Sequence, residues 1–276
     1  LARDKVIAIY FLEDLLPYLS SPVMPLEQAS NMLHHSANPT VLADVEVRYV
    51  GEPIACVIAE TPYIAEDAAS LVNIVYEDLP PSTNYIKALN PDAVRAHSNF
   101  PDNQVAGFTL SYGNIEEAFH HAKHVFRETL YQHKGLAHSI ECRGVAARIE
   151  SSDNILTVWS ATQMAHRAHN IIAEMLGLPE DQLRVLAPDV GGGFGPKFVF
   201  YHEEIVVPLA ALLLKRPVKW VEDRREHFTC TTQERDQCWD LEVAINEQGC
   251  LLGVRGKMLH DHGAYTPYGV NLPFNG

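Results

Sequence analysis

The stretch Asp189-Val-Gly-Gly-Gly-Phe-Gly-Pro-Lys197 places four glycines in the five positions from 191 to 195. Residues 183–187 before it have strand character, and an apolar helix is predicted over about 199–214. A glycine loop between a strand and a helix lets the backbone approach a bulky ligand, and it directs N–H groups toward anionic oxygens. A plain tight loop is the alternative, and Phe194 argues against it because an aromatic ring among glycines is costly to order unless it packs on something.

Two nucleotide-binding motifs do not fit this loop. A G-x-G-x-x-G fingerprint anchored on Gly191 and Gly193 would need a glycine at position 196, which is Pro196. A P-loop would need Gly-Lys-Ser/Thr, whereas Lys197 lies between Pro196 and Phe198. The sequence therefore excludes both motifs.

The patterns outside the loop predict a chain of the α+β (mixed α/β) class. Residues 1–88 are predicted to form a small domain with strands at 45–50, 54–59 and 73–77 and a helix at 63–72. The polar, proline-containing stretch 89–108 is interpreted as a linker. A strand-rich second domain is predicted over 109–276, with a helix starting after Asn114, a helix at 165–176 and strands at 125–132, 144–150, 155–160, 183–187, 217–221, 239–245 and 251–259.

The composition is that of a globular protein, with 276 residues, 47% hydrophobic and 20% charged. This length suggests about two domains. The 21 Lys and Arg residues against 35 Asp and Glu give a formal net charge of −14. A field of this sign repels phosphate, so nucleic acid is excluded as an expected partner. The longest apolar runs are about half a bilayer span, and no membrane segment is expected.

The cysteines and histidines do not form a recognisable metal or disulfide pattern. The five cysteines contain no CxxC pair, so zinc-ribbon and thioredoxin interpretations fail, and reduced thiols in the cytoplasm are favoured. His260 and His262 would project from one face of a strand, which makes a metal pair conceivable. Surface or hydrogen-bonded histidines are the favoured interpretation for the fourteen histidines of the chain.

Several motifs occur in an order that resembles the large subunit of the molybdenum hydroxylases. That family includes xanthine dehydrogenase, the aldehyde oxidoreductases and aerobic carbon monoxide dehydrogenase. Besides the glycine loop, the motifs are Arg48-Tyr-Val-Gly-Glu-Pro53, Ala65-Glu-Asp-Ala-Ala69, Trp159-Ser-Ala-Thr-Gln163, Arg216-Pro-Val-Lys-Trp-Val-Glu-Asp-Arg224 and Asp261-His-Gly-Ala-Tyr265. The resemblance implies an α/β hammerhead domain over 1–88, followed by the first part of a molybdopterin-binding domain.

The resemblance also implies an activity and a set of cofactors. Members hydroxylate a C–H bond of an aldehyde or N-heterocycle with water as the oxygen source, or oxidise carbon monoxide. The implied cofactor is molybdopterin with molybdenum, in the cytosine dinucleotide form common in bacteria. Electrons are expected to leave through an Fe–S small subunit and an FAD-binding medium subunit, and the substrate is a small molecule. The cytoplasm is the expected location, with the periplasm open through a partner's export signal.

Carried over by position, the resemblance assigns roles to specific residues. Gln163 resembles the amide that hydrogen-bonds near the metal's oxo ligand, although a solvated residue at a helix start is the alternative. Gly192, Gly193, Phe194 and Gly195 resemble the loop whose backbone lies beside the molybdenum, and no side chain of this chain is implied as a direct metal ligand. A neutral amide donates without adding charge, and backbone donors need no reorganisation, which suits this role.

Two further positions concern the substrate. Xanthine dehydrogenases have a purine-binding glutamate where this chain has Phe198, and a buried aromatic ring there would favour an apolar or aromatic substrate over a purine. Arg235 falls within one residue of the family's second substrate-side arginine, and a surface arginine paired with Asp236 is the alternative.

The family's catalytic glutamate lies in a Gly-x-Gly-Glu segment, which this sequence does not contain. The resemblance therefore places no catalytic residue in this chain. The start at Leu1 and the turn-forming residues 271–276 suggest an internal fragment that is inactive alone. A non-catalytic cofactor-binding or carrier module is the competing interpretation.

Overall fold

The computed structural model describes residues 5–26, 28, 30–150, 152–234 and 236–270. The chain divides into two compact units built from interleaved segments. The first unit comprises Leu1–Leu26, Asn38–Leu79 and Ala137–Thr232, and the second comprises Glu27–Ala37, Pro80–Leu136 and Gln233–Gly276. The stretch predicted as a linker lies within the Pro80–Leu136 segment of the second unit.

Helices and strands alternate irregularly along the described chain, as expected for the α+β class. The helices are α1 (Leu12–Leu15), α2 (Pro62–Ala69), α3 (Ile115–His120), α4 (Ala165–Leu176), α5 (Glu203–Leu214) and α6 (Arg224–Cys230). The strands are β1 (Val6–Tyr10), β2 (Cys56–Ala59), β3 (His124–Gln132), β4 (Gly144–Ile149), β5 (Leu156–Ser160), β6 (Leu183–Leu186), β7 (Val218–Val221), β8 (Asp236–Ile245) and β9 (Leu251–Asp261).

The first unit is centred on a four-stranded sheet of order β6-β5-β4-β7, in which only β5 and β6 run parallel. Helices α4 and α5 pack on this sheet, and Val158, Ile172 and Leu209 belong to the shared core. Fully burying each such side chain contributes about 1.5–3 kcal/mol. Strands β1 and β2 form a separate antiparallel pair in the same unit.

Helix α4 shows why the sequence predicted its bounds correctly. Its buried residues Ala168, Ile171, Ile172 and Met175 recur at helical spacing. Gly177 follows with a φ of +61°, a left-handed conformation that glycine adopts without steric cost and that ends the helix.

The second unit contains the antiparallel sheet β3-β8-β9, and α3 packs on β9. A Cβ on Gly253 would lie 2.9 Å from Cδ1 of Ile115, so the glycine permits this close packing. All nine residues of β3 are exposed. None of the helices in the described part of the chain has the length and hydropathy needed to cross a bilayer.

Two predicted strands are absent from the structure. Residues 45–50 and 73–77 have no regular secondary structure, and Val45 and Val75 are 91% and 89% exposed. A strand needs a neighbouring strand for its backbone hydrogen bonds. Among the described residues, β1 and β2 form a two-stranded sheet, and neither 45–50 nor 73–77 is part of it. The sequence patterns also missed β1, α1 and α6.

Helix α5 begins at Glu203 rather than near residue 199. Residues Pro196–Phe198 form a 3-10 turn instead. The backbone N–H of Tyr201 donates to the Glu204 carboxylate at 3.0 Å, which satisfies a donor just before the helix. The glycine loop is therefore separated from α5 by a turn and is not its direct N-terminus.

Candidate functional site

The glycine loop, residues 191–195, follows β6 in the first unit. Gly192 and Gly195 have φ values of +92° and +100°, which L side chains rarely adopt. Phe194 has a φ of +54°, which is uncommon for a residue with a side chain. The loop therefore has a backbone conformation that depends on its glycines and that few other sequences could adopt.

Gln163 lies directly against the loop, although it is 32 residues away in the sequence. The backbone N–H of Gly195 donates to Gln163 Oε1 at 3.1 Å. A Cβ built on Gly193 would come within 2.3 Å of the same oxygen, so a side chain there would displace the amide. The structure thus brings Gln163 together with the loop residues, while their roles toward a cofactor stay a prediction.

The loop offers hydrogen-bond donors that the protein itself does not use. The N–H groups of Gly191, Gly192 and Gly195 donate to Glu141, to the carbonyl of Val190 and to Gln163. Within the described part of the chain, the N–H groups of Gly193 and Phe194 and the Nε2 of Gln163 have no acceptor. These three neutral donors are available to a ligand.

The two aromatic residues near the loop are more exposed than the sequence indicated. The ring of Phe194 is 71% exposed and packs against Gly192, where an added Cβ would lie 2.9 Å from Cε2 of the ring. Phe198 is 47% exposed, so the expectation of a buried ring was wrong. Its N–H donates to the carbonyl of Gly195 in the 3-10 turn, which presents the residue at the surface.

Sequence reasoning missed the ion pair beside the loop. The Nζ of Lys197, whose side chain is fully buried, donates to Glu141 Oε2 at 2.5 Å. Burial opposes ionisation of Glu141, but hydrogen bonds from Lys197 and from the N–H of Gly191 hold the pKa of its carboxyl below the usual value. Glu141 lies 50 residues before Gly191 in a segment without regular structure, so no local pattern could have identified it.

A second polar cluster lies buried in the same unit. Arg143 Nε donates to Glu222 Oε1 at 2.8 Å, and His227 Nδ1 lies 2.8 Å from Glu222 Oε2. Ligand atoms of Cys142, Glu222 and His227 lie within 4.8 Å of one another, a spacing that a metal ion could use. The Glu222 carboxylate is already bonded by Arg143, His227 and Thr231, so the cluster is an ion-pair network rather than an open metal site.

Glu204 is the most strongly perturbed carboxyl of the first unit. It is 5% exposed, and burial raises its pKa to about 7 against the lowering effect of hydrogen bonds from Ser160 and from the N–H of Tyr201. Ser160 Oγ lies 2.7 Å from Glu204 Oε1. Near neutral pH both the protonated and the ionised form of this carboxyl are therefore populated.

The sequence also pointed to Arg235, to the pair His260 and His262, and to the five cysteines. Arg235 lies outside the described residues. His260 Nδ1 is 2.8 Å from Gln237 Nε2, in agreement with the expectation of hydrogen-bonded histidines. The five cysteines are free thiols, and burial raises the pKa of Cys56 to about 11, which makes it unreactive.

Comparison with known families divides the chain in two. The family described as molybdopterin cofactor-binding domain matches residues 96–276. The family described as aldehyde oxidase and xanthine dehydrogenase, a/b hammerhead domain, matches residues 4–80.

Individual relatives agree with these matches. The nicotine 6-hydroxylase large subunit of Paenarthrobacter nicotinovorans is 39% identical over 227 residues, which cover 82% of this chain and 28% of that protein. The carbon monoxide dehydrogenase large chain of Afipia carboxidovorans is 32% identical over 238 residues, which cover 82% of this chain and 29% of that protein. The chain thus spans less than a third of the length of these curated relatives.

Solved structures give the same result. The crystal structure of quinoline 2-oxidoreductase from Pseudomonas putida 86 superposes with a TM-score of 0.84 at 31% identity. The match covers 95% of this chain and 33% of that chain.

Proposed function

We propose that this chain, which belongs to the large-subunit family of the molybdenum hydroxylases, holds the molybdenum end of a molybdopterin cofactor at its glycine loop. The observation that carries the proposal is the set of three donors without a protein acceptor, namely the N–H groups of Gly193 and Phe194 and the Nε2 of Gln163. These donors belong to or lie beside residues 191–193, which are glycines and carry no Cβ.

The residues present fit such a group. A bulky oxygen-rich ligand needs close approach and donors, and the glycines supply the first while the amides supply the second. All three donors are neutral groups, and the charge of the neighbouring Lys197 is paired with Glu141. The loop therefore orients and hydrogen-bonds the cofactor without adding a cation beside it. When bound, the molybdenum centre supplies the two-electron oxidation of the substrate.

The whole protein would then be an oxidoreductase, and we propose an aromatic N-heterocycle as its substrate. The reaction would convert a C–H group of the substrate and a water molecule into the hydroxylated product, two protons and two electrons. The exposed rings of Phe194 and Phe198, four positions apart, offer apolar contacts to a flat ring and no group that would bind a purine. The nicotine and quinoline enzymes among the similar proteins support this choice over an aldehyde or carbon monoxide.

The finer features follow the same family pattern. We propose the cytosine dinucleotide form of the cofactor, and an Fe–S small subunit and an FAD-binding medium subunit as electron acceptors. The domain bounds 1–88 and 109–276, with 89–108 as linker, stay a proposal. Arg235 as a substrate-side residue also stays a proposal.

Free thiols and the net charge of −14 support the cytoplasm as location. We assign no catalytic residue to these 276 residues, because they contain no Gly-x-Gly-Glu segment.

The test compares Gln163→Ala with the wild type and with Gln248→Ala, a control at an exposed turn. Each substitution is made in the protein as its source produces it. Removing the amide should speed the loss of molybdenum about tenfold, as for other residues that support a metal group through hydrogen bonds. Molybdenum is measured by mass spectrometry after timed dilution, and acid release of CMP identifies the cytosine dinucleotide. Equal retention in Gln163→Ala and the control would refute the assigned role.

A carrier module without chemistry is the second candidate, since such a module would use the same glycine loop and need no catalytic base. The two candidates differ in turnover. We expect the complete protein, loaded with cofactor, to reduce an artificial electron acceptor when quinoline is added and to do so poorly with xanthine. The 276 residues alone should give no turnover. Retention of molybdenum without any turnover by the complete protein would favour the carrier.

A further inference from the structure

The two ends of the glycine loop are fastened by different side chains. At one end, Gln163 Oε1 accepts a hydrogen bond from the N–H of Gly195. At the other end, Glu141 Oε2 accepts one from the N–H of Gly191 at 2.8 Å. The donors that remain without an acceptor lie between these two points. The position of the middle of the loop therefore depends on both fastenings.

Lys197 links the two fastenings. Its Nζ donates to the same Oε2 of Glu141 that accepts from Gly191. Its carbonyl accepts from the N–H of Gln163 at 2.9 Å and from the hydroxyl of Thr162 at 3.3 Å. Because the side chain of Lys197 is fully buried, its ammonium needs a counter-charge, and Glu141 is the carboxylate in contact with it.

Glu141 is itself held in place by the protein on its other side. Ser139 Oγ donates to the carbonyl of Glu141 at 2.6 Å. Arg224, at the start of α6, donates to the carbonyls of Ser139 and Ile140 at 2.9 and 2.7 Å. The side chain of Glu141 remains 42% exposed, so it lies at the rim of the loop and not in the core.

We propose that Glu141 is a positioning residue, which with Lys197 clamps the Gly191 end of the glycine loop and thereby keeps the N–H groups of Gly193 and Phe194 ready for the cofactor. This inference rests on the proposed function of the loop. It assigns Glu141 no contact with cofactor or substrate. Without the clamp, the loop keeps only its Gln163 fastening, and the free donors lose their fixed spacing.

The test measures amide hydrogen exchange over 189–195 in the cofactor-free protein, so that its outcome does not depend on the role of Gln163. Glu141→Gln keeps the size of the side chain and removes the charge. We expect the Gly191 amide, which donates to Glu141, to exchange about tenfold faster, and this corresponds to the loss of one charge-assisted hydrogen bond. Glu247→Gln is the matched control, because Glu247 pairs with Lys123 at 3.4 Å with both side chains mostly exposed. It should leave exchange in the loop unchanged.

A second variant separates positioning from simple stability. Glu141→Ala leaves the Lys197 ammonium buried without a counter-charge, and Glu141→Ala combined with Lys197→Met removes that charge. We expect the double variant to recover the midpoint of chemical denaturation while its loop amides still exchange fast and its molybdenum is still lost early. Recovery of loop protection together with stability would overturn the proposal, as would unchanged exchange in Glu141→Gln. If exchange rises while molybdenum retention is unaffected in both Glu141→Gln and Gln163→Ala, the clamp stands and the proposed function fails.

Discussion

Arg143 and Lys197 are two buried cations of the first unit, and their surroundings differ. Arg143 bonds Glu222 through Nε and Nη2 and Glu203 through Nη1, and its guanidinium lies 3.8 Å from the ring centre of Tyr201. Lys197 has one partly exposed carboxylate. The comparison suggests that the fold secures the ends of β4 and β7 with several contacts to one cation, whereas the Gly191 end of the glycine loop is held through a single ion pair that is partly open to solvent.

The largest effect is expected from Glu222→Gln, which removes the main partner of Arg143. Because Glu222 is 3% exposed and also bonds His227 and Thr231, its loss leaves a buried cation poorly compensated. We expect about 3–5 kcal/mol of lost unfolding free energy, measured by guanidinium denaturation. A loss below about 1 kcal/mol would contradict this ranking, because it would mean that Glu203 alone suffices for Arg143; the contrast with Lys197 would then be greater.

The next effect is a pH dependence that concerns Glu204, a buried carboxyl that contacts no cation among the residues the structure describes. Its folded pKa of about 7 exceeds the usual glutamate pKa of 4.5, so the folded state binds more protons between these values. Stability should therefore fall as pH rises from about 4.5 to above 7, by up to about 3 kcal/mol from this group. Glu204→Gln should flatten this part of the profile. A profile of unchanged slope in the variant would contradict the assignment.

The smallest effect is expected from Glu203→Gln. Glu203 Oε2 lies 3.1 Å from Arg143 Nη1, but its side chain is 16% exposed and Glu222 remains in place. The cost should be about 1 kcal/mol, well below that of Glu222→Gln. Denaturation midpoints of both variants, measured side by side, rank the two carboxylates. An equal or larger loss in Glu203→Gln would show that Glu222 is not the main partner of Arg143.

The fold was predictable where local patterns agree with packing. Helix α4 has both an apolar face and a glycine stop, and its bounds follow from the sequence alone. The segments 45–50 and 73–77 have the alternation of strands but belong to none of the sheets of the described residues, and a one-dimensional pattern cannot reveal whether a neighbouring strand exists. The interleaving of the two units was hidden for the same reason, because it depends on contacts between distant segments.

The candidate site was predictable only through its motif. The glycines at 191–193 and 195 stand out in the sequence, and the resemblance added Gln163, which the structure places against Gly193 and Gly195. Glu141 could not be found in this way, since one glutamate in an irregular segment carries no signal until the structure places it beside Lys197. The exposure of Phe198 was also beyond the sequence, because it results from the 3-10 turn that precedes α5.

The first unit is built from segments that lie far apart in the sequence, so its core is complete only after the last of them has been synthesised. Early and late residues meet in it, as when Arg167 donates to the carbonyl of Leu26, His202 bonds the carbonyl of Val41, and Cys230 bonds the carbonyl of Gly51. At about 5–20 residues per second, a ribosome takes about 10 to 40 s to travel from Gly51 to Cys230. Throughout that interval the apolar side chains of the early segments have no finished core to enter. The apolar side chains of these early segments therefore stay exposed for longer during synthesis than those of a protein of the same size built from consecutive segments.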